Sequence, residues 1–89
     1  MRIWKAPLDI VDLQVIEMPG SGYALDAQFQ NGTLCLWMLV DETIQPEMYI
    51  VRIFGTGNPI PSVNMGRYVG TAQDGMLVWH VFILQSVTG

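Results

Sequence analysis

Histidine and cysteine are almost missing from this chain: His80 and Cys35 each stand alone in 89 residues. A single cysteine excludes an internal disulfide. One residue of each kind leaves no cluster for a structural zinc, which needs several Cys or His ligands. Basic residues are also scarce. Arg2, Lys5, Arg52 and Arg67 stand against eight acidic residues, a net charge of -4. That argues against nucleic acid as a partner, because phosphate neutralisation supplies most of such affinity. Charge of either sign is thin, at 13% of residues against a usual ~25%. No run reaches the ~20 apolar residues of a membrane span. The basic start, Met1-Arg2-Ile3-Trp4-Lys5, has no apolar core region or cleavage site behind it, so no signal peptide is expected. Sustained i, i+3, i+4, i+7 apolar spacing is absent too, which predicts little helix.

What remains is apolar and β-forming. Apolar residues make up 51% of the chain, enough for a core but spread over a single short domain, residues 1–89. A domain this small buries only roughly 60% of the surface its unfolded chain exposes. Small proteins compensate with disulfides, metals or self-association, and the first two are excluded above. Association is therefore expected, with no cofactor. A free thiol suits a reducing cytosol.

The run over residues 76–84, Met-Leu-Val-Trp-His-Val-Phe-Ile-Leu, is apolar on both faces of a strand. Residues 33–40, Thr-Leu-Cys-Leu-Trp-Met-Leu-Val, behave the same way. Two strands with two apolar faces each exceed what one small chain covers alone. An oligomer interface is expected on Leu77, Trp79, Val81 and Ile83, with Trp37. Asn31-Gly32 between two β-type runs is the strongest short hairpin signal, since a type I′ turn needs positive φ at both central residues. It joins residues 23–30 to residues 33–40. Further strands are expected over residues 2–5, 12–18, 49–54 and 66–73, with a loop over 41–47 and a second tight turn at Asp74-Gly75. The fold class is all-β: an antiparallel sandwich or curled barrel of five to seven strands.

Chemistry-bearing residues are few. Gly55-Thr56-Gly57-Asn58 ends a strand with backbone N–H groups open to an anion, as in phosphate-binding nests. Arg52, Phe54, Arg67 and Trp4 complete a candidate ligand set, as charge donors and stacking aromatics. The same glycines also suit a plain turn closed by Pro59 and Pro61. They carry neither the third glycine of a dinucleotide fingerprint nor a P-loop ending. His80 sits inside an apolar strand with no nucleophile motif, so a structural or interface role is expected. Cys35 reads as a buried, inert thiol.

Four stretches carry a family likeness: Ile3-Trp4-Lys5, the run Gln28-Phe29-Gln30-Asn31-Gly32-Thr33-Leu34-Cys35-Leu36-Trp37, the run from Arg52 to Pro61, and Val78-Trp79-His80-Val81-Phe82. In these the chain resembles a family of small phage and prophage proteins with a domain of unknown function. The resemblance implies a phage-encoded binding protein in the cytoplasm of an infected bacterium, and no enzyme. Three readings follow. The first is an oligomeric sponge for a nucleotide-derived host immune signal, held as a phosphate-bearing small molecule. The second is a protein-binding inhibitor of a host defence enzyme. The third is an accessory virion protein.

Overall fold

The computed structural model describes residues 1–61 and 65–85. Seven strands follow one another: β1 (Arg2–Pro7), β2 (Leu13–Pro19), β3 (Tyr23–Gln30), β4 (Thr33–Val40), β5 (Pro46–Gly55), β6 (Arg67–Asp74) and β7 (Leu77–Gln85). They form two antiparallel sheets, ordered β1-β4-β3 and β2-β5-β7-β6. The architecture is the sandwich expected, not a closed barrel.

Local chemistry explains the hairpins. Asn31 and Gly32 take φ of 52° and 80°, so Gln30 pairs with Thr33 across a two-residue loop. The second hairpin differs from expectation. Asp74 pairs with Leu77, so the central residues are Gly75 and Met76, not Asp74 and Gly75. Gly75 supplies the positive φ, 59°, at the first central position, and β7 starts one residue later than expected. The polar segment before β5 is also shorter than expected. Pro46 opens that strand, where a missing N–H costs no ladder bond.

The core lies between the sheets. Leu34, Leu36, Met38 and Val40 point inward from β4, opposite Tyr49, Val51 and Ile53 of β5 and Val81 and Ile83 of β7. The β7 residues expected at an interface divide between this core and its margin. Val81 and Ile83 are 0% and 8% exposed within one chain, and Trp79 packs against the same core. The opposing three-stranded sheet already covers that face. Val78, His80, Phe82 and Leu84 therefore look outward. Leu77, on the inward parity but beyond the end of the core, is 57% exposed. Trp37, expected at an interface, lies half-buried on the outer face of β4 between Lys5 and Asp26. Cys35 shares that face, is buried as expected, and its Sγ lies against the Thr33 carbonyl.

At one edge the two sheets close on each other. A Cβ built on Gly70 of β6 would stand 2.7 Å from Asp26 Oδ1 and 3.2 Å from the Ala27 nitrogen of β3. A side chain there would wedge the seam open.

Candidate functional site

The register defines a four-column surface on the outer side of the β2-β5-β7-β6 sheet. β2 contributes Leu13, Val15 and Glu17, directly opposite Arg52, Ile50 and Met48 of β5. β7 contributes Leu84, Phe82 and His80, opposite Ile50, Arg52 and Phe54. β6 adds Tyr68 beside Phe82 and Thr71 beside His80. Leu13, Val15 and Tyr68 are each 51% exposed. The surface is thus a sheet face built largely of aliphatic and aromatic side chains and left open to solvent.

Its polar groups fall into two sets. The first is a hydrogen-bonded chain. The Tyr68 hydroxyl lies 2.6 Å from Thr71 Oγ1, which lies 3.0 Å from His80 Nδ1, while His80 Nε2 lies 2.7 Å from Thr56 Oγ1. Both ring nitrogens therefore have hydroxyl partners. A neutral imidazole fits this chain by donating at one nitrogen and accepting at the other.

The second set is Arg52. Its guanidinium carbon sits 5.3 Å from the centre of the Phe54 ring, a cation–π placement. Phe54 in turn packs edge-on against Phe82, with centroids 6.2 Å apart, and Tyr68 meets the other side of Phe82 at 5.6 Å. Arg52 Nε is buried with no hydrogen-bond partner among the described residues. An unmade bond at a buried donor costs about 1–3 kcal/mol, more at a charged group.

The ligand set expected from sequence is only partly brought together. Gly55, Thr56 and Asn58 line a groove of about 350 Å³ with Met76, Leu77, Val78 and Trp79. Gly57 stands at the turn with φ of 88° and nothing within 4 Å of its missing Cβ. The Asn58 N–H closes the turn by donating to the Gly55 carbonyl. Neither Arg52, Phe54, Arg67 nor Trp4 lines this groove. Trp4 belongs to the other sheet, opposite Met38. Arg67 lines a second groove, also about 350 Å³, with Tyr23, Ala24, Tyr49, Gly66 and Leu84 among its walls. There its guanidinium lies 4.2 Å from the Tyr23 ring centre and donates to the Ala24 and Tyr68 carbonyls. Sequence reading missed this second groove, since Tyr23 and Arg67 meet only through the β3–β6 seam.

Elsewhere the exposed polar groups serve local structure. Asp41 accepts from the Thr43 hydroxyl and the Thr43 N–H, and these two bonds hold its carboxyl below the usual aspartate range. Among the described residues no three His, Cys, Asp or Glu side chains gather as metal ligands, and no helix is long and apolar enough to cross a membrane.

No curated protein and no solved structure matches the chain. A family model does, over residues 1–88: the chain belongs to a family defined by a domain of unknown function, DUF7352.

Proposed function

We propose that this is a non-enzymatic, phage-encoded binding protein that works as a homo-oligomer, with the outward face of the β2-β5-β7-β6 sheet as its association surface. One observation carries the reading: an open sheet face of Leu13, Val15, Ile50, Phe82, Leu84 and Tyr68 surrounds an arginine whose Nε lacks a partner. Interfaces favour this mixture, with aromatic residues and arginine at their centres. The low charge of the chain, 13% of residues, points the same way.

Of the possible targets of the assembled protein, a host protein is favoured by elimination, because the geometry gives a phosphate-bearing signal little support. Arg52 and Arg67 line different parts of the surface from the Gly55 turn, and Arg67 already donates to two carbonyls of its own chain. A phosphate at that turn would meet backbone N–H groups and Thr56 without a cation. The small-ligand reading keeps one specific feature, the groove where Thr56 and Asn58 stand beside Trp79.

Light scattering at micromolar concentration tests the association. The expected result is at least a dimer, reduced to the 10.0 kDa monomer by Val15→Glu, which sets a charge in the middle of the face. A wild-type monomer across the accessible concentration range would end the proposal. Calorimetry against a panel of cyclic and linear nucleotides separates the targets: no binding is expected. A nucleotide that binds wild type but not a folded Gly57→Val variant would return the signal-capturing reading to first place.

A further inference from the structure

The outward sheet face carries two charged side chains among the described residues, and they are opposite in sign. The register sets Glu17 across from Met48, and Arg52 four positions further along β5. At about 3.3 Å per residue this separates them by roughly 13 Å along the strands, too far to pair within one chain. Glu17 is exposed, and neither side chain has an ion-pair partner among the described residues. We infer that the occupant of this face is a second copy of the same chain, packed face to face about a two-fold axis that lies between these residues, so that each Arg52 reaches the partner's Glu17.

This rests on the self-association proposed above and names its pairing. Three features of the face support it. A two-fold contact is self-complementary: if residue i meets residue j of the partner, j also meets i. One Arg and one Glu on a face of zero net charge meet that condition twice over. Arg52 has no carboxylate partner among the described residues of its own chain, and arginine–carboxylate pairs are strong because the planar donor fork matches the carboxylate. The remaining polar chain, Tyr68–Thr71–His80–Thr56, already bonds internally at both ring nitrogens, so covering it strands no ring donor. The axis runs along the Val15–Ile50–Leu84 row, which sits at the centre of the contact, with Arg52 and Glu17 on either side of it.

Charge reversal tests the pairing by sedimentation equilibrium. Glu17→Arg, at an exposed position, should raise the dimer dissociation constant about tenfold or more, by facing arginine with arginine. Arg52→Glu should do the same, and the double variant Glu17→Arg/Arg52→Glu should recover most of the wild-type affinity. Arg52 is half-buried, so Arg52→Glu must keep the wild-type circular dichroism to count. A double-mutant cycle with the milder Glu17→Gln and Arg52→Met gives the same answer without reversed charges. A coupling larger than its error supports the pair, and additive losses overturn it. A wild-type dimer indifferent to Glu17→Arg would overturn this pairing while leaving self-association intact. A wild-type monomer would overturn both.

Discussion

The seam between β3 and β6 permits a sharp test of the fold through Gly70→Ala. The added methyl meets Asp26 Oδ1 at 2.7 Å, the Ala27 nitrogen at 3.2 Å and the Ala27 oxygen at 3.5 Å. A free carboxylate would swing aside cheaply. This one accepts a 2.8 Å hydrogen bond from the Ala27 N–H, so moving it strands a partly buried donor. That loss is worth about 1–3 kcal/mol. The Ala27 backbone is held in the β4 ladder opposite Leu36, and forcing it back adds overpacking strain of about 1–3 kcal/mol. Removing a glycine from the unfolded chain returns about 0.4–1 kcal/mol. The net loss is about 1–6 kcal/mol, centred near 3, against roughly 4–13 kcal/mol expected for a domain of this length. At about 4–8 °C per kcal/mol, a loss of about 3 kcal/mol lowers Tm by roughly 12–24 °C. Thermal melts followed by circular dichroism read this directly. In an Asp26→Ala background the penalty should shrink, because the nearest clashing atom is gone. A Gly70→Ala protein that melts within about 3 °C of wild type would refute the close approach of the two sheets, and with it the seam that joins Tyr23 to Arg67.

Two further expectations use the turn and the loop. Gly32→Val should lower stability by about 1–2 kcal/mol, since φ of 80° resists a β-branched residue although its Cβ has open space around it; an unchanged urea midpoint would contradict the turn geometry. Asp41 should titrate below ordinary aspartate in a carbon-detected NMR titration, because its charged form is the one Thr43 bonds. The sign follows: the folded pKa is depressed, so its contribution is present above the unfolded value and is lost as pH falls through the folded one. Thr43→Val removes the larger of the two bonds and should move the midpoint back up. A midpoint at the ordinary value in wild type would contradict the Asp41–Thr43 bonds.

Local chemistry determined much of this protein. Asn31-Gly32 set one hairpin and the bounds of β3 and β4 on either side of it, while the pairing of the two strands shifts register between Ala24 and Asp26. The scarcity of helical spacing and the β-type runs made the chain all-β. Glycines and prolines marked where most strands stop. Tertiary structure decided the rest. In β7 both alternating sets are apolar, so period two defines two faces without saying which one turns inward. Only the opposing β1-β4-β3 sheet, assembled from distant parts of the chain, selected Trp79, Val81 and Ile83 for the core and left His80 and Phe82 outside. The same non-local pairing placed Arg67 and Trp4 away from the Gly55 turn and set Glu17 and Arg52 on one face, whereas Arg52 and Gly55, three apart on β5, differ in face by alternation alone. Alternation is a property of consecutive residues, whereas burial depends on what another strand covers, and that is settled only when the sheets pack.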